Sequence, residues 1–385
     1  MDVDGSRGLL GFFAQVPDPG SANVRHRLAD LLAITVLAVL SRGNDWVEIA
    51  AWGAAQQPWL KTFLDLPHGV ASHDTFDRVF RRLDPVALEQ CFMAFVAGVA
   101  QHSRGRLIAI DGKSLRGSFQ AGAKRTPIHM VSAWCTHNQM VLGQLACDAK
   151  SNEITAIPRL LELLDLRDAV VSIDAMGCQK AIAAQIVKQK GDYLLAVKDN
   201  QPTLHEAVAF YFDEAIQAGW KGLRHRFARD VYGDHGRIET RRCWATADVG
   251  WLKGQGQDWP GLGGLVCVES EREVLGSDLP VAAERRYFIT SVDPRKLSGD
   301  ELLALVRRHW GIENQLHWCL DVVFAEDASR VRKDHGGENL SRMRRLTLNL
   351  VRQMRKVKPG TSLKVRRLMC SWDHQLLLDT LTGKA

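Results

Sequence analysis

Two short apolar runs that each end on an aspartate constrain this chain more than any other feature of its 385 residues. Residues 107–110 (Leu-Ile-Ala-Ile) run into Asp111 and Gly112, and residues 169–173 (Ala-Val-Val-Ser-Ile) run into Asp174. Apolar runs of this length, bounded by turn residues, read as strands buried on both faces. Asp is disfavoured inside strands, and a carboxylate in an apolar setting is costly without a partner. Each aspartate therefore either closes a turn or coordinates a cation. Occurring twice, the pattern favours the cation, because buried parallel strands that deliver acids at their C-terminal ends are how α/β sheets present a site.

The rest of the chain surrounds these runs with alternating elements. Residues 24–101 read as all-helical, with Asp45 and Ser72 as caps, Pro85 opening the last helix, and Trp46, Trp52, Trp59, Phe76 and Phe80 as core. Residues 72–83 carry Arg78, Arg81 and Arg82 on the polar side of an amphipathic helix. The polar, Gly-containing stretch 101–106 reads as a linker. Strands follow to Asp111, at 128–135 and at 140–147, then a helix at 151–164 and the strand to Asp174. A helix at 178–188, a strand at 193–198 and a helix at 202–218 complete a mixed sheet with helices on both faces. Between 222 and 292 the helical period gives way to four glycine-bounded strands, 225–231, 237–245, 264–271 and 285–291. Helical spacing returns from 297 to about 320, and again at 338–356 and 363–370.

Composition excludes several classes. A chain 46% hydrophobic and 24% charged is an ordinary globular protein of two or three domains. The apolar stretch 28–40 is short for a bilayer span and carries Asp30, and the acidic opening residues are no signal peptide. Eight cysteines stand singly with no C-x-x-C pair, which argues against a thiolate zinc site and points to reduced thiols in the cytoplasm. Charge is unevenly spread. Residues 330–367 hold thirteen Lys/Arg against Asp334 and Glu338, a net +11 in a chain of net +6, which leaves −5 for the remainder. A basic helical tail of this kind predicts a polyanionic partner.

One helix concentrates unusual polar groups. His309, Glu313 and His317 are spaced i, i+4 and i+8 and so share one helical face, with Arg307, Arg308, Asn314 and Gln315 beside them. Trp310 and Trp318 flank that face, which predicts a helix packed on both sides and a buried Glu313. Three carboxylates, Asp111, Asp174 and Glu313, are the hard oxygen set that Mg²⁺ takes, and two such ions activate a nucleophile and stabilise a leaving oxygen at phosphorus. A zinc site of His309, Glu313 and His317 is a weaker reading, because that spacing lacks the open-site pattern.

The motifs I-A-I-D-G-K-S-L-R-G, S-N-E-I-T-A-I-P, V-S-I-D-A-M-G-C-Q-K, K-D-N-Q-P-T-L, H-G-R-I-E-T-R and H-W-G-I-E-N-Q-L-H-W-C-L-D-V-V-F-A-E-D-A-S-R recur in order. Through them, residues 8–375 resemble the DDE-type insertion-sequence transposases, in the branch of the H-repeat-associated proteins of Rhs elements. The resemblance implies an α/β, ribonuclease-H-like catalytic core at 106–221 and 293–335, interrupted by a β-rich insertion at 222–292. The separation of 139 positions from Asp174 to Glu313 leaves room for it. An N-terminal arm (1–23), a transposase-associated helical domain (24–101) with possible DNA binding, and a basic helical C-terminal region (336–385) complete the layout.

By the same resemblance Asp111, Asp174 and Glu313 are the catalytic, metal-binding triad, holding Mg²⁺ or Mn²⁺, two ions in all. The expected partners are double-stranded DNA with terminal inverted repeats, target DNA and a second copy of the chain when DNA is bound. No membrane is involved. Relatives often carry a Tyr, an Arg and a Lys around the glutamate, where this chain has Val306, His309 and Leu320. Arg308 and His309 are expected to replace the arginine, and Lys198 or Lys333 the lysine. Lys113, Arg342, Arg344 and Arg345 complete the expected phosphate contacts. The implied activity is cleavage at element ends and strand transfer. The alternatives are a metal-dependent nuclease or resolvase on the same core, or a DNA-binding protein that has lost catalysis.

Overall fold

A computed structural model describes residues 8–20, 24–99, 107–119, 126–147, 153–234, 236–254, 258–276 and 282–385. The expected linker at 101–106, Ser151 and His235 lie outside them. The chain is mixed α/β, with strands β1 Leu107–Ser114, β2 His129–Cys135, β3 Met140–Ala146, β4 Val170–Ile173, β5 Asp192–Val197, β6 Arg226–Asp234, β7 Arg237–Thr246, β8 Gly264–Val274 and β9 Ala282–Thr290. It divides into two compact units. One comprises Met1–Gln101, Gly112–Ser151 and Glu313–Ala385, and the other His102–Asp111 and Asn152–Ile312.

The second unit is built on a sheet in which β1, β4 and β5 run parallel and β5, β9, β8, β7 and β6 follow as antiparallel neighbours. All four strands expected at 222–292 are present. They form no sheet of their own, because β9 pairs with β5 from Leu194↔Thr290 to Val197↔Tyr287 and so extends the parallel set. Helix Gly299–His309 covers this extension. A capping box starts it: the Glu301 N–H donates to Ser298 Oγ (3.2 Å) and the Ser298 N–H to Glu301 Oε2 (2.8 Å). Leu302, Leu303 and Val306 then pack on Ala228, Cys243, Val266, Val268 and Phe288. Removing each of those three side chains from water contributes about 1.5–3 kcal/mol.

In the first unit, helix Leu28–Leu40 is buried along nearly its whole length. Helices Trp46–Ala55, His73–Arg82 and Pro85–Val99 stand where the sequence placed them. Asp45 caps its helix through the Glu48 N–H (2.9 Å), whereas Ser72 makes no side-chain cap, its hydroxyl lying 3.3 Å from that of Thr75. In the core Trp46 stacks on Phe76 and lies tilted against Phe80. Helices Leu9–Phe13, Gln57–Leu60 and His374–Thr382 are additions to the expected set.

The basic C-terminal helix departs most from expectation. Within Gly336–Arg352, Arg342, Arg344 and Arg345 are at most 3% exposed. Arg342 pairs with Glu89 (3.1 Å) and Glu338 (3.2 Å), Arg344 donates to the Asn44 carbonyl (2.7 Å), and Arg345 pairs with Glu326 (2.8 Å). Arg367 is buried too, donating to the Val39 and Val323 carbonyls, and desolvation brings its pKa down to about 9. The net charge of this stretch predicts a surface for a polyanionic partner. Arg342, Arg344, Arg345 and Arg367 are instead engaged inside the protein, and apolar residues alternating with the first three draw helix Gly336–Arg352 into the core. Arg342, Arg344 and Arg345 are therefore corrected from phosphate contacts to internal ion-pair and capping groups.

Candidate active site

Asp111 and Asp174 are brought side by side. The parallel ladder of β1 and β4 ends at the Ile110↔Ile173 pair, and the next residue on each strand is an aspartate, both half-buried. β1 itself does not stop there, as the sequence predicted, but runs on to Ser114, and Leu115 continues the pairing by donating to the Ile128 carbonyl (2.8 Å).

Asp174 closes a turn and lies near other charged groups. Its Oδ1 accepts from the Met176 N–H (3.1 Å), capping the tight turn Ala175–Gly177. Its carboxyl pKa is raised, first by desolvation and then by nearby Glu153, while the turn N–H groups and Lys198 pull it back. Asn200 donates to the Ala175 carbonyl and Gln201 to that of Cys178 (3.0 Å), so the K-D-N-Q segment after β5 braces the turn. Three motifs thus meet around Asp174: Glu153 from S-N-E, the turn itself, and Lys198, Asn200 and Gln201 from K-D-N-Q. Glu153, Asn200 and Gln201 were quoted in the sequence but assigned no role there. Their distance along the chain from Asp174 left no local signal of the contact.

His309 sits elsewhere than expected. Its Nδ1 is hydrogen-bonded to Ser172 Oγ at 2.9 Å, tying the helix end to β4 two residues before Asp174. Desolvation pushes the imidazole down to about 4, so it is neutral at physiological pH. The expectation that His309 replaces the arginine as a charged phosphate contact is therefore corrected, the ring being neutral and bonded to Ser172. Arg308 is exposed beside it, and Arg307 pairs with Asp230 at 2.5 Å.

Glu313 belongs to the first unit and stands at the start of a π-helix, Ile312–His317, between Gly299–His309 and Trp318–Val322. The wider turn breaks the i, i+4, i+8 stack, and π turns recur at functional sites. Glu313 is exposed, as are Trp310 (38%) and Trp318 (57%), so the buried carboxylate between packed tryptophans is corrected. His317 lies on the inner side, pushed down to about 3 by desolvation and by Arg345 and Lys113.

Lys113 is no phosphate ligand in this arrangement. Only 8% exposed, its Nζ lies 2.7 Å from Asp321 Oδ1, 2.7 Å from Asp327 Oδ1 and 3.9 Å from Glu326 Oε2. Beside it Arg332 donates to the Gly117 carbonyl (2.8 Å), and a Cβ on Gly117 would stand 2.2 Å from the Ser329 carbonyl oxygen. Only glycine permits that approach. D-G-K-S-L-R-G and F-A-E-D-A-S-R are therefore two sides of one clamp. Lys333 is exposed.

The donor set fits a hard divalent cation: two carboxylates on neighbouring strands where their parallel ladder ends, one with its pKa raised by burial. Among the described residues no cluster of three or more His, Cys, Asp or Glu stands ready to hold an ion.

Residues 102–350 match the family model described as transposase DDE domain, and residues 10–96 match that described as DDE_Tnp_1-associated. The chain is 39% identical over 363 residues to "Putative transposase YncI" of Escherichia coli O157:H7, covering 94% of this chain and 92% of that protein. It is 35% identical over 381 residues to "H repeat-associated putative transposase YhhI" of Escherichia coli K12, covering 97% and 98%. A Xanthobacter autotrophicus protein encoded in the dhlA 3′ region is 45% identical over 287 residues, 73% of this chain and 93% of that one.

Proposed function

The chain belongs to the transposase DDE family and is an insertion-sequence transposase; from that premise we propose that Asp111, Asp174 and Glu313 form one divalent-cation site that cleaves DNA at element ends and joins the freed 3′-hydroxyl to target DNA. The observation that carries this reading is the pair of aspartates beyond Ile110↔Ile173. Glu313 enters as the third acid by its place in the H-W-G-I-E-N-Q motif and by its exposure on a π turn. When bound, Mg²⁺ or Mn²⁺, as one ion or two, supplies Lewis acidity to the attacking oxygen and to the leaving oxygen.

The chain's own groups prepare that chemistry. The turn N–H groups orient Asp174, Asn200 and Gln201 hold the turn, and exposed Lys198 offsets negative charge where a phosphate arrives. Ser172 and His309 fix the helix end against β4. The core is read as ribonuclease-H-like on the strength of β1, β4 and β5 running parallel beside the β2–β3 hairpin that follows β1 in the chain. Terminal repeats, target DNA and a DNA-bound dimer are the partners proposed. Eight free cysteines agree with work in the cytoplasm.

The test uses duplex DNA spanning the ends of the source element, with a separate target plasmid. EDTA-sensitive nicking at the ends, followed by covalent joining of the 3′-hydroxyl end to the plasmid, is the expected result. Nicking without joining would make the protein a nuclease, and DNA binding with neither would make it a protein without catalysis.

A further inference from the structure

The π turn that carries Glu313 is held by a residue no motif singled out. A π-helix bonds i to i+5, and its wider turn disturbs the regular ladder, so a carbonyl in it is open to an outside donor. Here the Gln315 carbonyl, two residues after Glu313, accepts from Arg352 Nη2 at 2.5 Å. Arg352 is the last residue of helix Gly336–Arg352 and is fixed on three further sides. Its Nη1 donates to Gln139 Oε1 (2.7 Å), its guanidinium lies 5.0 Å from the Trp134 ring centroid, and its Nη2 is 3.7 Å from Cys319 Sγ. Gln139 is itself presented by a left-handed turn residue (φ 53°) in the β2–β3 hairpin. The guanidinium's planar fork spans these partners at once, which an ammonium cannot do.

We propose that Arg352 is a positioning residue that latches the π turn, and so sets where the Glu313 carboxylate points. Loss of the latch lets the turn revert to α-helical spacing. One residue of register then swings the side chain by about 100°. This inference rests on the reading of Glu313 as a cation ligand.

The experiment measures Mn²⁺ binding by electron paramagnetic resonance of the free ion, on the full chain, for wild type, Arg352→Met, Arg352→Lys, Glu313→Gln and the double variant Arg352→Met/Glu313→Gln. Removing a hydrogen-bonded neighbour that orients a ligand weakens metal binding by about 10–100-fold, so Arg352→Met is expected in that range and Arg352→Lys between it and wild type. The double variant is expected to bind no more weakly than Glu313→Gln alone, because both changes act through one carboxylate. Wild-type Mn²⁺ affinity in Arg352→Met, or additive losses in the double variant, would overturn the latch. Unchanged affinity in Glu313→Gln would instead remove the third acid from the site, a separate failure. Should Arg352→Met not fold, Gln139→Ala replaces it. That change loosens the guanidinium from the surface side, and the same non-additivity with Glu313→Gln decides.

Discussion

Arg345→Met separates an internal ion pair from a DNA contact. Arg345 is fully buried and Glu326 is 1% exposed, with Arg345 Nη1 2.8 Å from Glu326 Oε1. Without the guanidinium, Glu326 keeps the Ser341 hydroxyl at 2.7 Å and a lysine no nearer than 3.9 Å. Removing one partner of a buried pair costs about 3–5 kcal/mol, because the remaining charge is stranded. Replacing both, as Arg345→Met/Glu326→Leu, is expected to recover much of that loss, since a well-packed apolar pair is often neutral or better. Urea unfolding gives the stabilities, and DNA affinity between 50 and 300 mM salt gives the electrostatic slope. Because Arg345 faces no solvent, the slope is expected to match wild type. A variant of native stability whose slope is shallower by about 0.9 would refute the reasoning and restore Arg345 as a phosphate contact.

Asp30 is 6% exposed and raised to about 6 by desolvation. Its protonated form is the one the fold favours, so that stability is fully present below the unfolded value of 3.8 and is lost as pH rises through 6. Asp30→Asn should thus stabilise the protein at pH 7 and make little difference at pH 4 in thermal melts; equal effects at both would sink the idea. His309, at about 4, shows the opposite sign: its contribution is present above 6.5 and lost as pH falls toward 4. His309→Leu should flatten that acid limb and, by stranding the buried Ser172 hydroxyl, cost about 1–3 kcal/mol at pH 7. An unchanged limb would show that the ring titrates normally. Gly117→Ala should destabilise by about 1–3 kcal/mol or more, as an overpacked site does, because its Cβ meets backbone oxygens of Ser329 and Asp327. A wild-type urea midpoint would mean the clamp is loose.

The elements legible in the sequence were those with strong local signals. The β1–β4 pair that delivers Asp111 and Asp174, the Asp45 cap and the four strands after 222 all rest on apolar runs, caps or glycine punctuation, whereas the continuation of β1 to Ser114 has no such signal. Three features were hidden for physical reasons. A π turn has no residue signature, so His309, Glu313 and His317 looked stacked until the turn widened between them. Charge counting does not see burial, and Arg342, Arg344 and Arg345 alternate with Leu, Met and Thr in a way that fits either a solvated face or a paired interior. Lys113 beside Asp111 read as a phosphate ligand because its partners, Asp321 and Asp327, are more than two hundred residues away. Such partners belong to tertiary structure alone.

The central claim is that three carboxylates act as one site, and single-turnover cleavage of end-bearing duplex DNA in Mg²⁺ tests it most directly. Asp111→Asn, Asp174→Asn and Glu313→Gln keep the shape of each side chain while removing its charge, and DNA affinity is measured in parallel. Each variant is expected to lose at least about a thousandfold in rate, the scale of losing a group that acts as part of a catalytic unit, while binding DNA within a few fold of wild type. Cleavage within tenfold of wild type in any one of the three would contradict the account, because that acid would then stand outside the site.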